Sequence, residues 1–141
     1  MKNPKFSIHS PLPLHSIVSR VSASSLPSAT RKYSFIINDV PADLRVNTDE
    51  HMLATVLATL LNTLIAYSEN SCIRVSAKLY GKVALIHLKE SPGLNNFAIS
   101  PKLKEIRQLA EMIGGTVSIG NNGDKLTSIV FSFINNLSLA A

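Results

Sequence analysis

Four histidines, one cysteine and a band of small polar residues are the places where this 141-residue chain could do chemistry. His9, His15, His51 and His87 lie in unrelated local contexts, and their spacing suggests no Ser-His-Asp, Cys-His or paired-carboxylate constellation. His87 alternates into a hydrophobic run and reads as a core or edge residue. Cys72 stands alone, which excludes an intramolecular disulfide or a cysteine-rich zinc site and fits a reducing compartment. Thr55, Thr59, Asn62 and Ala66, with Thr63 at the margin, share one side of a leucine-rich stretch, so that side faces water or a ligand. Lys89-Glu90-Ser91-Pro92-Gly93 closes an apolar run with two charges and two turn formers. Lys102 and Lys104 stand where a following helix begins and could attract an anion there, although a solvated first turn is the commoner explanation.

The elements that must hold these residues are legible in the hydrophobic pattern. Phe6 to Ile8 reads as a short edge strand, and Leu14, Ile17, Val18 and Val21 as the stripe of a first helix ending near Val21. The serine-rich segment 22–32, with Pro27, reads as the loop after it. Tyr33, Phe35 and Ile37 alternate along a strand, and 39–47 holds a proline turn with room for one more short strand. A helix capped by Thr48 or Asp49 is expected to run to about Ser68, burying Leu53, Val56, Leu57, Leu60, Leu61 and Leu64. A hairpin follows, with Ile73, Val75, Ala77 and Leu79 in one strand, a turn at Tyr80-Gly81, and 83–88 in the other. After a polar loop over 94–100, a helix from about Pro101 presents Leu103, Ile106, Leu109, Ala110 and Ile113 inward and stops at Gly114-Gly115. The strands 116–120 and 126–134 close the order, the second with Ile129, Phe131 and Phe133 facing in. The sum is an α+β, two-layer α/β sandwich: a mixed, mostly antiparallel sheet with helices on one face.

Composition sets the outer bounds. The length suits a single domain over 1–141, with a core of about 6–136 and a frayed tail over 137–141. Apolar residues at 45% and charged residues at 16% give a globular balance. The net charge of +5 could favour an anionic partner, but the basic residues are scattered and no nucleic-acid motif accompanies them. Prolines 4, 11 and 13 break any leader-like run, and 52–67 is too short and too interrupted to cross a bilayer, so a cytoplasmic location is expected.

The run Val56-Leu57-Ala58-Thr59-Leu60-Leu61-Asn62-Thr63-Leu64-Ile65-Ala66-Tyr67-Ser68 and the run from Leu103 to Gly115 resemble two helices of the histidine kinase-like ATPase domain, the Bergerat fold of the GHKL superfamily. The resemblance covers roughly Phe6 to Asn136. In that family the first helix usually reads Asn-Leu-Leu-x-Asn-Ala-x-Lys-Tyr-Ser, and its second asparagine holds the magnesium ion that bridges the ATP phosphates. Counting back from Tyr67-Ser68 places Thr59, Thr63 and Ala66 at the two asparagines and the lysine. Threonine offers a hydroxyl where the family offers a carbonyl oxygen, and magnesium demands several hard oxygen ligands in near-octahedral array. Asn62 stands one residue early, about 100° away around the helix.

The family's Asp-x-Gly-x-Gly turn, whose carboxylate binds the adenine amino group, corresponds to the run from Lys89 to Gly93. Lys89 then takes the carboxylate position and can only donate. Losing that charge-assisted bond costs about 1.5–3 kcal/mol. Glu90 would restore it only if the strand register moved by one residue. The family's long lid shrinks to 94–100, and Ala98, Ser100 and Lys102 stand where glycines would wrap the phosphates.

The resemblance therefore implies a stand-alone, degenerate kinase-type ATPase domain serving as a regulatory or protein-interaction module in bacterial signal transduction. Its vestigial nucleotide positions would be Thr59, Asn62, Thr63, Ala66, Lys89, Glu90, Gly93 and Lys102. No catalytic residue, cofactor or metal is expected, and the expected partner is a kinase, response regulator or sigma-pathway protein, with a homodimer also compatible. The alternative is a minimal ATP-dependent protein kinase acting in trans, like anti-sigma-factor serine kinases, and only this alternative calls for ATP and Mg2+.

Overall fold

The computed structural model describes residues 11–91, 96–121 and 127–135, with side chains over 11–91, 104–120 and 128–135. The strand expected over Phe6 to Ile8, Gly93 and the tail over 137–141 lie outside the described residues. The chain opens with β1 (Leu12–Pro13), a two-residue strand paired antiparallel with β3 (Arg45–Val46). Between them run α1 (Leu14–Arg31) and β2 (Phe35–Asn38). Then come α2 (Glu50–Ala66), β4 (Cys72–Tyr80), β5 (Val83–Ser91), α3 (Asn96–Glu111), β6 (Gly115–Asn121) and β7 (Thr127–Ile134).

The main sheet has the order β2-β4-β5-β7-β6. β2 runs parallel to β4, and every other neighbouring pair is antiparallel. The fold is thus α+β with a mixed, mostly antiparallel sheet, as the pattern of the sequence implies.

One face of this sheet is apolar. Ile73 and Val75 of β4, Ile86 and Leu88 of β5, and Ile129 and Phe131 of β7 are all essentially inaccessible. They join Leu14, Ile17 and Val18 of α1, the leucines of α2, and Ile106 and Ala110 of α3 in one core cluster. Residues directly opposite in the ladder share a face, as in Val75↔Leu88↔Ile129, so the register and the burial pattern support each other. Phe131 and Phe133 add a tilted ring contact at 5.2 Å between centroids.

Four local expectations need correction. First, α1 continues through 22–31 instead of ending near Val21. The stripe Val21, Ser25 and Ala29 keeps helical phase and stays buried against α2. Those small buried side chains let the two helices approach closely, and this packing outweighs the local cost of Pro27 and the serines. Secondly, α3 begins at Asn96 instead of about Pro101, so 96–100 is helix and not loop. Thirdly, Tyr33 precedes β2 and turns the chain with φ 54°, exposed, where a strand residue was expected. Lastly, α2 ends at Ala66, two residues before Ser68.

Other expectations hold. Asp49 caps α2 by accepting from the Met52 amide at 2.9 Å. Gly81, at φ 59°, turns the β4–β5 hairpin. Gly114, at φ 72°, reverses the chain after α3, and a side-chain carbon at Gly115 would sit 2.5 Å from the Ser132 carbonyl oxygen. No described helix is long and apolar enough to cross a membrane.

Candidate functional site

The site is built on the side of α2 that turns away from the leucine core. Helical periodicity sends Leu53, Val56, Leu57, Leu60, Leu61 and Leu64 inward and leaves Thr55, Thr59, Asn62 and Ala66 on the other side. Thr59, Asn62, Thr63, Ala66 and Tyr67 together line an open cleft of about 340 Å3. Four residues singled out from the sequence thus meet in one place, joined by Tyr67, which is 40% exposed.

Two of their polar atoms are engaged within the protein. Thr59 Oγ1 donates to the Thr55 carbonyl oxygen at 2.8 Å, one turn back along the same helix. Asn62 is exposed, and its Oδ1 accepts from Ser25 Oγ of α1 at 2.9 Å. Thr63, expected at the margin, is buried, with 9% of its surface exposed. Asn62 and Ala66 also border a second hollow of about 230 Å3, which Ser28, Arg31, Lys32 and Ile65 complete. There Lys32 Nζ donates to the Ala66 carbonyl oxygen at 3.2 Å, satisfying a free acceptor at the end of α2.

The end of β5 sends Lys89 and Glu90 to opposite faces of the sheet. Lys89 pairs with Arg74 and Ser128, and so stands on the sheet face away from the helices. Glu90 continues the buried series Ala84, Ile86 and Leu88, opposite Ile73, and is 1% exposed. No register shift is needed to bring a carboxyl group to the helix-facing side. The physical reason is the two-residue period of the strand: Leu88 is fixed in the core, so Glu90 follows it inward.

Glu90 Oε2 accepts from Ser71 Oγ at 2.7 Å, and Ser71, in the link between α2 and β4, is itself buried. The Ser71 amide in turn donates to Ser34 Oγ at 3.0 Å, tying the carboxyl group to the start of β2. Lys102 lies on α3, and its side chain falls outside the described residues, as Gly93 does.

Sequence reasoning missed Ser25 and Ser71, the two hydroxyls that engage Asn62 and Glu90. Ser25 carried a signal, since it falls four residues after Val21 and four before Ala29 on the buried stripe of α1. Ser71 carried none, because its partner is set by tertiary structure. Among the described residues, no group of three His, Cys, Asp or Glu side chains could hold a metal ion.

No protein-family model and no curated protein sequence matches the chain. Solved structures do. The Acinetobacter baumannii histidine kinase AdeS superposes with a TM-score of 0.77 at 14% identity, over 92% of this chain and 69% of that one. The catalytic domain of histidine kinase ThkA gives 0.73 at 16% identity, over 89% and 95%. The mycobacterial sensor histidine kinase MprB gives 0.68 at 13% identity, over 91% and 98%. At such low identity the likeness establishes the fold.

Proposed function

Starting from a chain with the fold of histidine kinase ATPase domains, we propose that it is a degenerate domain of this type, working in bacterial signal transduction as a regulatory or protein-interaction module without ATP hydrolysis or phosphoryl transfer. The observation that carries this reading is the polar side of α2. Thr59 bonds to its own helix, Asn62 is held by Ser25, and Thr63 is buried. Such a donor set does not fit magnesium, which binds carboxylates and phosphate oxygens in a near-octahedral shell. The short connection between β5 and α3 supports the same reading, since only residues 92–95 separate Ser91 from Asn96. A connection of four residues is too short for a closing lid of the kind the resemblance implies. The expected partner is a signalling protein in the cytoplasm. In keeping with this, a structure of ThkA in complex with response regulator TrrA also matches, with a TM-score of 0.66 over 89% of this chain and 41% of that one.

Isothermal titration with ATP and with ADP, each with and without magnesium, tests the lost site. No saturable heat is expected, and micromolar binding would overturn the reading. Co-purification tests the signalling role, which fails if no kinase, response regulator or sigma-pathway protein is recovered.

One observation favours a second reading, a minimal protein kinase acting in trans. Glu90 stands on the helix-facing side of β5, in phase to serve as the acidic group that the sequence alignment assigned to Lys89. This reading requires phosphate transfer from labelled ATP to a protein acceptor, lost in Asn62→Ala and Glu90→Ala.

A further inference from the structure

The face of the main sheet away from the helices carries an apolar row at one end. Alternation along β4 buries Ile73, Val75 and Ala77 and so turns Tyr80 to the other face. The ladder sets Tyr80 opposite Val83 of β5, and Val83 opposite Ile134 of β7, so the three stand side by side across three strands. Tyr80 is 56% and Ile134 is 47% exposed, which leaves the row open to solvent. Leu85 follows Val83 by two residues on the same face, and Tyr80, Leu85 and Val130 border a hollow of about 260 Å3 beside the row. Adjoining large apolar side chains at a surface mark a contact, whereas scattered ones do not.

Shape and charge define what the row can take. Neighbouring strands lie about 4.8 Å apart, so three side chains across three strands span about 10 Å. Two turns of an α-helix rise about 11 Å, and an apolar stripe at i, i+3 or i+4, and i+7 matches that span. The charges around the row have one sign. Lys78 is the ladder neighbour of Leu85, Lys82 is exposed in the turn before Val83, and Lys89 lies further along the same face. None of the three has an ion-pair partner among the described residues, whereas Arg74, the remaining cation on this face, is engaged by Asp39. No Asp or Glu stands on this face of the described strands. Two copies of the chain meeting through this face would set lysine against lysine, whereas an acidic partner would be attracted.

We propose that this face docks an acidic amphipathic helix of a partner protein, its apolar stripe lying on Tyr80, Val83 and Ile134, one large side chain entering the hollow beside Leu85, and Asp or Glu residues along the stripe meeting Lys78 and Lys82. The inference rests on the reading of the chain as a protein-interaction module, and adds to it the surface used and the chemistry of the partner. The row shares no residue with the α2 cleft, so docking here makes no demand on that cleft.

The probe is a synthetic helical peptide of about 15 residues, with leucines at helical spacing and glutamates beside them, titrated at low salt into the isotopically labelled chain. Saturable NMR shifts are expected at the amides of Lys78, Tyr80, Val83, Leu85 and Ile134, with a Kd on the order of 100 μM for so small a contact. The same peptide with lysines in place of the glutamates is expected to bind at least about 10-fold more weakly, and one with serines in place of the leucines is expected to give no saturation. Tyr80→Ser, at an exposed position, is expected to weaken the glutamate peptide about 10-fold with little change in Tm. Absence of saturation with the glutamate peptide, equal binding of the glutamate and lysine peptides, shifts confined to α1, α2 or α3, or unchanged affinity in Tyr80→Ser would each overturn the proposal. Tighter binding to phosphatidylserine vesicles than to the glutamate peptide would assign the row to a lipid surface and overturn it as well. The peptide comparisons use the unmodified protein, so the outcome stands even if the variant fails to fold. A signalling protein that co-purifies equally with the native chain and with Tyr80→Ser would overturn this docking surface and leave the proposed function standing.

Discussion

The two sides of α2 obey different rules although they alternate residue by residue. Leu60 is fully inaccessible and belongs to the core cluster, whereas its neighbour Thr59 lines an open cleft and bonds back to its own helix. The inward side is constrained by volume, because a close-packed interior registers every missing methylene. The outward side is constrained only by whatever it must bind. Substitution on the outward side, at Thr59 or Ala66, is therefore expected to leave the core intact. The same division runs through β5, where Leu88 and Glu90 face the helices and His87 and Lys89 face away.

The most direct way to break this comparison is to truncate adjacent residues. Leu60→Ala is expected to cost about 2–5 kcal/mol, combining lost transfer energy with the cavity left behind. Thr59→Ala is expected to change stability by no more than about 0.5 kcal/mol, since the lost hydroxyl back-bond is offset by the higher helix propensity of alanine. Urea unfolding followed by circular dichroism reads both. Similar losses in the two variants would show that the cleft side also holds the fold together.

A smaller effect sharpens the comparison at Glu90. If this carboxyl group is part of the scaffold, Ser71→Ala should cost about 1–3 kcal/mol, the usual range for deleting one partner of a buried hydrogen bond. The same unfolding measurement decides it. A change below about 0.5 kcal/mol would mean that Glu90 does not rely on the serine and is held for another role.

These contrasts also explain what could be read in advance. The leucines of α2 and the alternation of Ile129, Phe131 and Phe133 announce their partners through period alone, and all are buried as expected. Thr59, Asn62, Thr63 and Ala66 could be grouped because four residues complete about one helical turn. Period alone did not assign Lys89 and Glu90, because matching the glycine of the turn competed with matching the buried phase of the strand. Position in the core decides such a conflict, and Leu88 supplies it. The continuation of α1 past Pro27 was illegible for the opposite reason. Its buried surface there is Ser25 and Ala29, small residues whose packing value depends on a neighbouring helix far away in sequence.

The weakest expected effect concerns the outer face and its pH dependence. Burial, and secondarily the nearby Lys89 charge, hold the His87 imidazole below its ordinary pKa. The unfolded chain therefore takes up a proton at higher pH than the folded one. In the window between the two values the unfolded state binds more protons, so stability is retained above the ordinary histidine pKa and is lost as pH falls toward the lowered one. Thermal unfolding from about pH 7.5 down to about pH 5.5 should thus show a steeper decline in Tm for the native chain than for His87→Gln, which cannot titrate. Because the ring is half-buried, the difference will be modest. Parallel curves would place the histidine in contact with water.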